Sequence, residues 1–131
     1  MIVKNTNYCF ACGSENPIGL KLKFAPTSNG VETKFVPGQL YEGFQNIIHG
    51  GIIATVLDEA IAWACRRFGV DAVTGELTVR YKKPLFANTL VHVVGLIEAQ
   101  RGKLLYGRAY IRDTNGTIIA SATAKMVRAN Q

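Results

Sequence analysis

The chain has 131 residues, of which 48% are apolar and 18% charged, and a formal net charge of +6. That length suits one compact domain, residues 1–131, and excludes two ordinary ones; the apolar share excludes a disordered chain. The basic surplus suits an anionic ligand, but it is scattered with no block of five or six, which argues against nucleic-acid binding.

The three cysteines are Cys9, Cys12 and Cys65. An odd, low count does not make a disulfide framework. The opening Met-Ile-Val-Lys turns polar and lacks the apolar stretch of a leader. No window approaches the ~20 apolar residues of a membrane span. The expected compartment is therefore the cytoplasm. A domain of this size also gains stability by associating with a second copy.

In chain order, the segment to Gly19 is rich in turn formers. Leu20–Phe24 then alternates apolar and basic residues and is predicted as a strand with one solvated face. Asn29-Gly30 signals a hairpin turn into a return strand, Val31–Val36, closed by Pro37-Gly38. A loop over 39–48 leads into the one long helix, about 50–68. Its apolar positions Ile53, Val56, Leu57, Ala60, Ile61 and Ala64 follow the three-and-four spacing of a buried stripe, and Gly69 stops it. The period then changes to two. Leu77, Val79 and Tyr81 alternate with Thr78, Arg80 and Lys82, and Pro84 ends that strand. Further strands are predicted at 89–99, 103–112 and 117–127, with turns near Arg101-Gly102 and at Asp113–Gly116. Two strands, one helix and about four strands in a meander point to an α+β domain with an antiparallel sheet wrapped around the helix.

Within this pattern, the string Ile48-His49-Gly50-Gly51-Ile52-Ile53-Ala54-Thr55-Val56-Leu57-Asp58 resembles the signature of hotdog-fold thioesterases of the phenylacetyl-CoA, or PaaI-like, type. Val79-Arg80-Tyr81-Lys82-Lys83-Pro84 is similar to that family's next strand and turn. Cys9-Phe10-Ala11-Cys12-Gly13 with Asn16-Pro17-Ile18-Gly19-Leu20 resembles a subset of it. The resemblance implies a hotdog fold, a central helix wrapped by a curved antiparallel sheet. It also implies hydrolysis of an acyl-CoA to free acid and CoA without a metal or separate cofactor, and a dimer or tetramer with active sites at the dimer interface.

Residue by residue, Gly50 and Gly51 stand where unpaired backbone N–H groups and the positive end of the helix dipole meet a ligand. There a thioester carbonyl would be polarised and its oxyanion stabilised; the plainer reading is a tight loop-to-helix turn. The family's carbonyl-contacting amide corresponds to Gly50. Asp58 lies two turns on, at the border of the apolar stripe, placed to act as general base or nucleophile. Glu59 beside it is read as a solvated or salt-bridged helix residue. His49 either contacts the thioester or caps the helix, and His92 is an ordinary strand histidine. The resemblance gives Thr74 a role in orienting water or substrate. It also places Lys103 and Arg108 with Arg80 and Lys82 in a groove for the CoA phosphates; a solvated basic face is the alternative. Gly43 departs from the family, many of whose members carry a second, asparagine donor at that position; either Gln45 or Asn46 substitutes, or the donor is absent, as in one branch of the family. Cys9-x-x-Cys12 invites a zinc or redox reading. Structural zinc takes about four ligands and no second pair follows, so packed thiols and no metal are expected. A non-catalytic acyl-CoA sensor on the same fold is the competing function. A dehydratase would require a different His-and-acid arrangement.

Overall fold

The computed structural model describes residues 2–130. One helix, α1 (Gly50–Arg67), lies against a six-stranded antiparallel sheet. The strands are β1 (Ala25–Pro26), β2 (Gly30–Phe35), β3 (Ala72–Tyr81), β4 (Val91–Arg101), β5 (Leu104–Arg112) and β6 (Ile118–Arg128).

The helix forms where the apolar stripe predicts it. Ile53, Val56, Leu57, Ala60, Ile61, Ala64 and Cys65 are its buried residues, one continuous face. Its last turn carries Arg66 and Arg67, which suit the negative end of the dipole. Gly69, at φ +80°, reverses the chain, so that its N–H reaches the Arg66 carbonyl and that of Val70 reaches Cys65.

Side-chain alternation decides which sheet face meets the helix. Val91 and Val93 on β4, Ala109 and Ile111 on β5, and Ala120, Ala122, Ala124 and Met126 on β6 are all buried. One row across the sheet is built from small residues: Gly95 pairs with Ala109, and Ala109 with Ala122. The helix settles into this row. A Cβ added at Gly95 would collide with the carbonyl of Ala60, backbone against backbone.

Two expectations are corrected. Leu20–Phe24 is not a strand; the first strand is only Ala25–Pro26. Lys21 sits at φ 56°, which interrupts any extended run, while Leu20 and Leu22 are buried in the core. The apolar alternation was real, but it seats an irregular segment whose Leu20 and Leu22 amides bond to Phe10 and Ala11 carbonyls. The four strands after the helix are also not one meander. β4, β5 and β6 are, but β3 pairs with β6, at the edge opposite β1, in the order β1-β2-β4-β5-β6-β3. No described helix is long and apolar enough to cross a membrane.

Because Gly95 meets backbone that cannot rotate away, Gly95→Ala is expected to cost about 3 kcal/mol of stability. At Gly107 the clash is with a methyl of Ile61, a side chain that can give, so Gly107→Ala is expected to cost nearer ~1 kcal/mol. Urea midpoints of the two variants check the ranking, and equal costs would contradict it.

Candidate active site

His49 is the N-cap of α1. Its Nδ1 accepts a hydrogen bond from the Gly51 N–H at 2.8 Å. Gly51 is small for a reason of space, since a Cβ there would lie 3.1 Å from that same nitrogen. The cap therefore occupies the Gly51 donor. Among the described residues, no hydrogen bond uses the N–H of Gly50. That leaves Gly50 as a helix-terminal donor at the positive end of the dipole. Tyr81, which sequence reasoning did not single out, braces it: its hydroxyl donates to the Gly50 carbonyl at 2.7 Å. A cleft of ≈ 270 Å³ opens beside Gly50, walled by Ile47, Ile53, Tyr81 and Leu85. Gly43 lies against His49, where a Cβ would stand 3.2 Å from the His49 Cα. Asn46 is in a turn at φ 64°, its amide bonded to the Glu42 carboxylate.

Two turns further along α1, Asp58 Oδ1 accepts a hydrogen bond from Thr74 Oγ1 at 2.5 Å. Asp58 is half-buried and Thr74 exposed. The contact depends on a β-bulge. Thr74 and Tyr81 are seven residues apart, an odd spacing that in a regular strand sends side chains to opposite faces. The pairing of β3 with β6 shifts register between Thr74 and Glu76, leaving Gly75 as the extra residue. Thr74 thereby falls opposite Met126, and Leu77 opposite Ala124, both on the helix side. Glycine inside a strand is the sequence signal for such a bulge.

Three of the four expected phosphate-binding residues come together. Arg80, Lys82 and Arg108, with Thr78, Ser121 and Thr123, line a cleft of ≈ 430 Å³ on the sheet face away from the helix. Arg108 is also paired with Glu98, Nε to Oε1 at 3.1 Å. Lys103 stands apart, in the β4–β5 hairpin turn at the far end of β5, where its carbonyl accepts from the Arg128 N–H. His92 pairs across strands with Arg112 and Lys34, remote from both groups.

Glu59 is not a solvated helix residue. Its Oε2 accepts from Trp63 Nε1 at 3.2 Å and from the Cys9 thiol at 3.6 Å. Burial, then contact with Glu59 and Cys9, pushes the Cys12 thiol up to about 12. Burial in the core pushes Cys65 up to about 11. No spacing rule links residues 9 and 59, so only the fold reveals this cluster.

Comparison with known proteins bears on the fold and the family. Residues 45–120, more than half of the chain, match the family model described as the thioesterase superfamily. The chain is 30% identical over 115 residues to mouse acyl-coenzyme A thioesterase THEM4, covering 84% of this chain and 50% of that protein. It thus spans about half the length of the curated relatives it matches. Its fold matches the Escherichia coli PaaI protein of the phenylacetic acid degradation operon at a TM-score of 0.77 and 20% identity, over 83% of this chain and 84% of that one. A thioesterase protein from Streptococcus pneumoniae solved with coenzyme A matches at a TM-score of 0.78 and 19% identity, over 84% of this chain and 90% of that one. The long α-helix, the curved sheet and the family match agree: the chain has the hotdog fold and belongs to the thioesterase superfamily.

Proposed function

We propose that this chain hydrolyses acyl-CoA thioesters to free acid and CoA, at sites shared between two copies. The observation that carries this reading is the Thr74–Asp58 hydrogen bond, set on the same face of β3 as the Tyr81–Gly50 bond. A named acyl-coenzyme A thioesterase among the relatives and a coenzyme A complex among the structural neighbours support the substrate class.

Gly50 and Asp58 are eight residues apart on one helix, about 12 Å along its axis. A carbonyl at the Gly50 N–H is then out of reach of Asp58 from the same chain. A second copy resolves this. β3 is a ten-residue edge strand, a ready template for pairing. Twofold antiparallel pairing centred on Thr78 would set Leu77 opposite Val79 and Glu76 opposite Arg80 of the second copy. Tyr81 would then face the bulge at Thr74 and Gly75. This brings the Gly50 end of each helix beside Asp58 of the other.

In such a site, Gly50 N–H donates to the thioester oxygen and stabilises the charge that grows there. Thr74 holds one oxygen of Asp58, leaving the other to accept a proton from water as the water oxygen bonds to the carbonyl carbon. Collapse breaks the C–S bond, and the proton passes from Asp58 to the departing CoA sulfur. Direct attack by Asp58 through an anhydride is the alternative; oxygen-18 from solvent entering Asp58 in a single turnover would identify it. The cleft of Arg80, Lys82 and Arg108 would receive the CoA phosphates, and the apolar cleft beside Gly50 an aliphatic or aryl acyl group.

Asp58→Asn preserves an acceptor for Thr74 and is expected to lower kcat by roughly 10²–10⁴-fold in an acyl-CoA assay. Tight acyl-CoA binding by the wild type without turnover would instead favour the sensor reading. Gly50→Pro removes the N–H at a helix position that tolerates proline, and is expected to cost roughly 10²–10³ in kcat with the helix intact by circular dichroism. Refolding the two inactive variants together tests the shared site. Random assortment should restore about a quarter of wild-type activity, because half of the dimers are mixed and each has one intact site. No recovery, or an active monomer by light scattering, would reject the shared site.

A further inference from the structure

We propose that Cys9, Cys12 and Glu59 bind a thiophilic divalent cation, Zn²⁺ by the chemistry of the donors, and that this ion fastens the N-terminal segment to α1. One ligand atom from each residue lies within 4.8 Å of the others, and all three residues are half-buried. With Zn–S near 2.3 Å and Zn–O near 2.0 Å, ligand atoms of a tetrahedral site stand roughly 3.5–3.8 Å apart. Cys9 Sγ and Glu59 Oε2 are already 3.6 Å apart. Two sulfurs and one carboxylate oxygen suit zinc better than calcium or magnesium, which take oxygen.

The surroundings are those of a ligand set rather than of three stray side chains. The Cys12 N–H points at Cys9 Sγ at 3.4 Å, and the Gly13 N–H closes the same turn on the Cys9 carbonyl at 2.8 Å. These two bonds hold both cysteines in one tight turn, with their side chains directed to the same side as Glu59. Trp63 donates to Glu59 Oε2, the same oxygen that faces Cys9 Sγ, and so orients the carboxylate toward the cysteines, as an outer-shell partner orients a metal ligand. A cleft of ≈ 690 Å³, lined also by Asn5, Asn7 and Ser14, opens onto the cluster. It provides an entry path and room for water as a fourth ligand. Arg66, in the same wall, stacks over the Trp63 ring and pairs with Asp71, which steadies the indole that holds Glu59. On binding, each thiol releases its proton to solvent, two S–Zn bonds and one O–Zn bond form, and no electron moves.

The consequence is mechanical. Among the described residues, the segment before β1 has no helix or strand of its own beyond turns. Glu59 is the neighbour of Asp58 on α1, so the ion would clamp that segment beside the carboxylate. The proposal does not depend on the thioesterase reading, and its test does not use activity.

Reduced wild-type protein is titrated anaerobically with CoCl₂ and then ZnCl₂. The expected result is one Co²⁺ per chain with near-ultraviolet thiolate-to-cobalt charge-transfer absorption and the visible bands of a tetrahedral ion, displaced by Zn²⁺. Zinc should raise Tm by several degrees. Cys9→Ser and Cys12→Ser should each lose the charge-transfer band. Glu59→Gln, which can still accept from Trp63, should keep the fold and bind at least tenfold more weakly. X-ray absorption at the zinc edge of the wild type, which needs no variant, should show two sulfur and two oxygen or nitrogen neighbours. Absence of charge-transfer absorption in the reduced wild type, unchanged affinity in Cys12→Ser or Glu59→Gln, or a shell without sulfur would overturn the proposal.

Discussion

The carbonyl of Ala60 rests where a Cβ of Gly95 would be. That backbone-to-backbone approach governs the molecule. It lets an 18-residue helix sink into the sheet instead of riding above it on side chains. The sheet must curve to cover both flanks of the helix, and the row of Gly95, Ala109 and Ala122 leaves room for it to do so. Dispersion forces then act at short range along the whole buried stripe, where a bulkier row would hold the surfaces apart.

A helix fixed at its middle has its ends fixed as well. The start carries Gly50 and Gly51, with the Gly51 amide committed to His49 and the Gly50 amide not. The centre carries Asp58 toward the edge strand and Glu59 toward the N-terminal segment. Adjacent residues on a helix diverge by about 100°, so two neighbouring carboxylates serve two different clusters. Thr74 holds the first; Cys9 and Trp63 hold the second. The two carboxylates differ in partners rather than in chemistry.

Much of this was legible in the sequence because it rests on local periodicity. The helix stripe, the stop at Gly69, the late strands and the His49–Asp58 signature are all local patterns. What failed was non-local. Leu20 and Leu22 alternate like a strand because they bury alternate side chains, but their amides turn to Phe10 and Ala11 instead of a sheet neighbour. The pairing of β3 with β6 leaves no trace in the residues of either strand. Lys103 shares a charge and a strand region with Arg108, yet strand rise separates them by about 16 Å. Glu59 looked solvated because Cys9 arrives from fifty residues upstream, although its other partner, Trp63, is one turn along the same helix. The Gly75 bulge was signalled by its glycine, but its effect appears only once Thr74 is set against Met126.

That bulge makes the length of β3 a discrete variable. With the bulge kept, removing or adding one residue between Glu76 and Tyr81 would turn Thr74 or Tyr81 to the outer face, whereas a change of two would preserve both orientations. A substitution in this stretch leaves that parity intact, whereas an insertion or deletion preserves it only in pairs or with a change in the bulge. A lineage could change most side chains of the strand and still keep its odd-numbered step, because what is inherited there is a count.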